Sequence, residues 1–201
     1  MSEKVHNYHE GNLYFQDIFD TRRLANKIAE RASETLSEEQ KHMIENADMF
    51  FLATCDHRGL PTCSYKGGAP GIVTVIDDKT IAFPNYDGNG KFQSMGNVRQ
   101  NNNVGLLFID FINQSRLRIQ GTMSFNTDDN LMAKYPEAQF MARVDIVEAY
   151  PNCARYIHKY ELVEHSIYVP KKGKTTPVAP WQPDLMDVLP KTDPARKKKI
   201  R

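Results

Sequence analysis

Two periods of apolar residues divide the chain. Over residues 17–35 (DIFDTRRLANKIAERASET), Ile18, Leu24, Ile28 and Ala32 recur at roughly helical spacing with charges between them, which predicts a helix. Ser37 followed by Glu38, Glu39 and Gln40 is a capping box that opens a second helix over about 38–46. From Met49 the period shortens to that of strands. MFFLATC, the turn DHRG and LPTCSY form a hairpin, and GIVTVID pairs with TIAFPN around Asp77-Asp78-Lys79. VGLLFIDF (104–111) is a further strand. In RLRIQGTMSF (116–125), Leu117, Ile119, Met123 and Phe125 share one face. Arg116, Arg118, Gln120, Thr122 and Ser124 take the other, as a half-buried antiparallel strand requires. TDDNLMAKY reads as a short helix capped at Thr127, and FMARVDIVEAYP and HSIYVP as the last strands. Many short strands with few helices between them predict a mainly β fold. The expected architecture is a small antiparallel barrel of six or more strands, with helices appended at the N-terminus.

The pattern divides the chain into an N-terminal helical extension (1–46), a barrel domain (47–170) and a C-terminal tail (171–201). The tail, KKGKTTPVAPWQPDLMDVLPKTDPARKKKIR, is rich in proline and charge and cannot bury much by itself. It is expected to be loose or wrapped over a partner subunit.

Composition narrows the function classes. Of 201 residues, 26 are Lys or Arg and 25 Asp or Glu, so the net charge of +1 gives no sign of a polyanionic partner. The basic end RKKKIR (196–201) is a short terminal run and a weaker basis for nucleic-acid binding. Cys55, Cys63 and Cys153 are an odd count without paired spacing, which suits reduced thiols in a cytoplasm. Cys55 and Cys63 sit in apolar strand segments and read as small core residues. The N-terminus lacks a secretory pattern and no apolar run is long enough to span a bilayer. A cytoplasmic protein with neither membrane nor nucleic-acid partner is expected. Cys153, His158 and His165 do not complete a four-ligand metal set, and no Ser-His-Asp or paired-carboxylate arrangement stands out.

Candidate chemistry concentrates in PNYDGNGKFQSMGNVRQ (84–100). Gly88 and Gly90 allow close approach of a ligand to the backbone. Asn89 suits the N-cap of a helix over about 90–100, with Phe92, Met95 and Val98 on its core face. Lys91 would then lie in the first turn, where the dipole disfavours a cation by roughly 0.3–1 kcal/mol unless an anion binds there. A solvated lysine on an ordinary turn is the plain reading of that stretch alone. Ser64, Tyr65 and Lys66 end a strand just before GGAPG, and Arg116 and Arg118 project from one strand face. A doubly charged phosphate at a subunit seam would need about this set of donors; an exposed polar sheet face is the alternative for the arginines.

An ordered series of segments resembles the pyridoxamine 5'-phosphate oxidase-related, FMN-binding split-barrel family. The segments are FFLATCDHRGLPTCSYKGGAPG, VTVIDDKTIAFPNYDGNGK, NVRQNNNVGLLFID and RLRIQG, and AYPNCARYIHK resembles a segment of one uncharacterised subgroup. The resemblance implies a homodimer of split β-barrels with FMN in the seam. It implies that Ser64, Tyr65 and Lys66 line the flavin, that Phe83 and Pro84 lie beside its ring, and that Lys91, with Asn89 in its turn, grips the phosphate. Arg116 falls where the oxidases carry a flavin-contacting glutamine, from the partner chain, and Arg118 lies beside it. Gly90 stands where that phosphate grip has an arginine, Ser64 where the oxidases carry an arginine, and their C-terminal Arg-Leu-His-Asp-Arg segment is missing. The resemblance therefore reaches the flavin site and not the vitamin B6 substrate site. The expected function is an FMN-dependent oxidoreductase passing a hydride to or from a small molecule. The alternative is a flavin- or haem-binding module without turnover.

Overall fold

The computed structural model describes residues 8–197. Three helices precede the sheet. α1 (Glu10–Ile18) and α2 (Arg22–Ala29) replace the single helix expected over 17–35. Asp20, at φ 48°, interrupts the helical path between them, and Arg22 pairs across the break with Asp17 at 2.6 Å. α3 (Glu38–Asn46) forms as the capping box requires. Ser37 Oγ accepts from the Gln40 amide (3.3 Å), and Gln40 Oε1 accepts from the Ser37 amide (2.9 Å). Its Ile44 is fully buried in the core. Replacing Ser37 with Ala should cost about 1 kcal/mol in urea unfolding; an unchanged midpoint would show that α3 does not depend on its cap.

Seven strands follow: β1 (Met49–Cys55), β2 (Pro61–Gly67), β3 (Thr74–Val75), β4 (Thr80–Asn85), β5 (Asn103–Asp110), β6 (Ser115–Asn126) and β7 (Phe140–Pro151). They form one sheet in the order β2-β1-β5-β6-β7-β4-β3, every pair antiparallel. The sheet curls on itself. Phe50 of β1 meets Phe83 of β4 edge-on at 4.9 Å, although β5, β6 and β7 separate those strands in the hydrogen-bonded order. Phe50 also stacks on Phe108 of β5 at 5.3 Å, so these three rings form the centre of the barrel. Leu52, Ile81, Leu117, Ile119 and Val144 fill the rest of the interior. The fold is the mainly β split barrel expected from the alternation. β6 and β7 change register at Gln120/Gly121, where an added Cβ would overlap the Asp145 carbonyl oxygen.

Several local expectations are corrected. Thr127 does not cap a helix. A 3-10 turn, Asn130–Lys134, starts three residues later with Asp129 as its cap, because Asp129 Oδ1 accepts from Leu131 N at 2.9 Å. HSIYVP forms no strand; its backbone closes a local turn at Ser166 instead. Among the described residues beyond it, regular structure is limited to a 3-10 turn, Gln182–Leu185, and α5 (Pro194–Lys197). Cys63 is exposed because β2 turns Thr62, Ser64 and Lys66 inward and Pro61, Cys63 and Tyr65 outward, and Cys55, the last residue of β1, is only half-buried. No helix among the described residues is long and apolar enough to cross a membrane.

The Asp129 carboxylate is buried and takes a two-point contact from Arg143, Nε to Oδ2 at 2.7 Å and Nη2 to Oδ1 at 3.1 Å. This contact, with the Leu131 amide, holds the Asp129 carboxyl below the usual carboxylate range. A depressed folded pKa stabilises above the unfolded value of about 4 and is lost as pH falls through the folded value. Asp129→Asn should therefore lower stability by about 1–2 kcal/mol at neutral pH, discounted because Arg143 is 38 % exposed. Urea midpoints should converge with those of the parent below pH 4; a constant gap down to pH 2 would remove the pair from the account.

Candidate functional site

α4 (Gln93–Gln100) lies against the β1–β2 hairpin and is fixed there by buried polar contacts. Asn97 Nδ2 donates to Thr54 Oγ1 (3.0 Å) and Thr62 Oγ1 (3.3 Å), which bond to each other at 2.8 Å. One turn earlier, Ser94 and Ser64 share a hydrogen bond of 3.2 Å. The helix starts later than the sequence suggests. Gly90 (φ 73°) and Phe92 (φ 47°) are both left-handed, so no helix can run through them. Asn89 does not cap α4: its Oδ1 accepts from the Lys91 amide at 3.1 Å and closes a turn. Lys91 consequently precedes the helix and bears no dipole penalty in its first turn. Among the described residues no side chain caps α4, which leaves its first-turn amides without a side-chain partner.

That space is a cleft of about 440 Å³ between β2, the end of β4, the 86–92 loop and the start of α4. Ser64, Tyr65, Lys66, Pro84 and Asn89 all line it, so three separate segments singled out from the sequence meet at one place. Asn85, Tyr86, Phe92, Gln93 and Ser94 complete much of the wall. Asn85 is fixed by Gln139, Nδ2 to Oε1 at 2.9 Å, which sets the path of the loop. Burial, followed by nearby Tyr135 and Glu137, pushes the Tyr86 hydroxyl up to about 12, so it stays a neutral donor at physiological pH. Lys66 is half-buried, and burial lowers its proton affinity. Among the described residues no carboxylate pairs with it.

The remaining candidates lie elsewhere in this chain. Phe83 is in the core, not on the cleft wall. Lys91 is exposed beside the cleft, between the wall residues Gly90 and Phe92. Arg116 and Arg118 sit on β6, separated from β2 by β5 and β1 in the sheet order. Tyr86, Gln93 and Ser94 were missed by the sequence reading. The pointer was available for Gln93 and Ser94, which lie within four residues of Gly90. Among the described residues no group of three or more His, Cys, Asp or Glu could hold a metal.

The chain is a split barrel that brings the start of α4 and Lys66 to one cleft. Residues 36–164 match the profile of the pyridoxamine 5'-phosphate oxidase family, and the chain belongs to that family. No curated protein matches it significantly. Among solved structures it is similar to a candidate pyridoxamine 5'-phosphate oxidase from Lactobacillus delbrueckii, at 24% identity and TM-score 0.49 over 59% of this chain and 95% of that one. An FMN-binding protein from Syntrophomonas wolfei gives 13% identity and TM-score 0.47 over 69% and 97%. The haem storage protein HutZ from Vibrio cholerae gives 16% and 0.40 over 56% and 90%.

Proposed function

We propose that the chain is an FMN-dependent oxidoreductase that binds its cofactor in this cleft and acts on a small molecule. The observation that carries the reading is the unpaired, half-buried Lys66 on a wall shared with Ser64, Asn89 and the uncapped start of α4. A partly desolvated ammonium without a counter-ion is costly, and a phosphate group relieves that cost while meeting the helix amides. The residues fit FMN on other grounds too. Tyr65, Tyr86 and Phe92 offer flat apolar surface, Ser94, Gln93 and Asn85 offer polar groups, and an added Cβ at Gly88 or Gly90 would meet nothing within 4 Å. Bound FMN supplies the hydride-transfer chemistry. The chain's own part is to hold the phosphate with Lys66 and Lys91, orient the ring against the aromatic side chains and keep Tyr86 protonated.

The working unit in this reading is a homodimer. Phe51, Ala53, Leu107 and Ile109 make an apolar outward face on β1 and β5, bordered by Arg116 and Arg118 on β6. Phe51 packs edge-on with Tyr65 at 6.0 Å, and Tyr65 also lines the cleft. A second copy on this face would put the cleft at the seam and give Arg116 a route to the partner's flavin. An absorption spectrum of purified protein incubated with FMN, then with a reduced nicotinamide, tests the reading. A flavin spectrum that bleaches supports it; a haem spectrum, or a bound flavin that no reductant turns over, favours a cofactor-holding module.

A further inference from the structure

Among the described residues that line the cleft, Lys66 is the one base and Asp87 the one acid. Asp87 follows Tyr86 in the loop and is exposed, and among the described residues no lysine or arginine pairs with it. A carboxylate on this wall works against any anion that Lys66 attracts, because like charges repel over the same range. What holds that carboxylate is a side chain that is not part of the wall. Gln139 stands just before β7, and its Nε2 donates to Asp87 Oδ1 at 3.3 Å.

The contact is one half of a clamp. Gln139 Oε1 accepts from Asn85 Nδ2 at 2.9 Å, and Asn85 Nδ2 also donates to the Tyr86 carbonyl oxygen at 3.2 Å. Nδ2 only donates and an ionised carboxylate only accepts, so the two contacts need opposite ends of the Gln139 amide. A single orientation of that side chain satisfies both. Glutamate has the same length and can still accept from Asn85, but it has no proton for Asp87 at neutral pH. The root of the loop has a further, backbone support. Gln139 N donates to Asn85 O at 2.8 Å, one step beyond the last β4–β7 pair, Asn85 with Phe140. Loss of the side chain therefore leaves the strands paired and releases the Asp87 carboxylate to its other rotamers, including those over the cleft.

We propose that Gln139 is a positioning residue for the anion subsite: it holds the Asp87 carboxylate aside, so that an anionic group meets Lys66 without competition. The proposal rests on the FMN reading above. It adds a residue that works from outside the wall and assigns it part of the preference for a phosphorylated ligand.

Affinities for FMN and for riboflavin, which has the same ring and side chain without the phosphate, test it in the cofactor-stripped full chain. The readout is the preference for FMN over riboflavin, which cancels any loss that falls on both flavins through the loop. Gln139→Ala should lower that preference about fivefold or more, and Asp87→Asn added to it should restore the preference to within twofold of the parent. Gln139→Glu, which keeps the acceptor for Asn85, should lower it at least as far as Gln139→Ala. Unchanged urea midpoints would confirm that the fold is kept. If Gln139→Ala weakens both flavins alike, Gln139 only holds the loop, and the proposal fails while the FMN reading stands. A lowered preference that Asp87→Asn does not restore also overturns it, since Asp87 is then not the group that Gln139 controls. A parent chain that takes up no FMN overturns the proposal and the reading together.

Discussion

Replacing Lys66 with methionine is expected to weaken FMN binding by about 10–100-fold, the equivalent of one charge-assisted hydrogen bond of about 1.5–3 kcal/mol. Methionine keeps most of the aliphatic stem that β2 buries, so the loss reports the charge and not the packing. The matching change at Lys171, exposed in the tail, should alter affinity less than twofold. Lys91→Met should fall between the two, since Lys91 is exposed beside the cleft and not part of its wall. The pH dependence has a definite sign. Burial lowers the proton affinity of Lys66 in the free chain, and the ammonium is the form that binds phosphate. FMN affinity should therefore decline as pH rises into the alkaline range, earlier than an ordinary lysine would allow, and Lys66→Met should lose that decline. Equal affinities for Lys66→Met and Lys171→Met would remove the phosphate from this wall.

Gly121→Val should destabilise the fold by about 3 kcal/mol or more, with a matching drop in the urea midpoint. Gly121 is the residue at which β6 shifts register against β7, and these are the two longest strands of the barrel. A Cβ there would overlap backbone, the Asp145 carbonyl oxygen, and would press Val144 Cγ1 at 2.8 Å. Backbone in a paired strand cannot move aside as a side-chain tip can. Gly105→Ala is the control, because its added Cβ would meet only Ala53 Cβ at an ordinary 3.7 Å. It should change stability by less than 1 kcal/mol. If both substitutions cost the same, the register shift is not what requires a glycine.

Strands were legible where alternation and burial coincide. β7 spans the stretch read as FMARVDIVEAYP, and Leu117, Ile119 and Met123 face the core as the pattern of β6 indicates. The reading failed where a strand's outward face is itself apolar. On β2 the outward positions are Pro61, Cys63 and Tyr65, so treating cysteine as a core residue inverted that strand. It failed again at the start of α4, because composition does not show that Phe92 adopts a left-handed backbone. That error shifted Asn89 and Lys91 into a helix turn they do not occupy. The proposed anion site rests instead on the uncapped start of α4 and on Lys66. Ser64, Tyr65, Lys66, Pro84 and Asn89, named from the resemblance, lie along one cleft. Tyr86 could not be weighed in advance, since its burial depends on a loop held by Gln139, more than fifty residues away in sequence.

The central claim is that this cleft takes FMN. Titrating the purified, cofactor-stripped chain into FMN, and following the flavin fluorescence, tests it most directly. The account predicts saturable quenching at one FMN per chain, abolished or greatly weakened by Lys66→Met. A chain that leaves micromolar FMN fully fluorescent, or that quenches it equally well without Lys66, would contradict it.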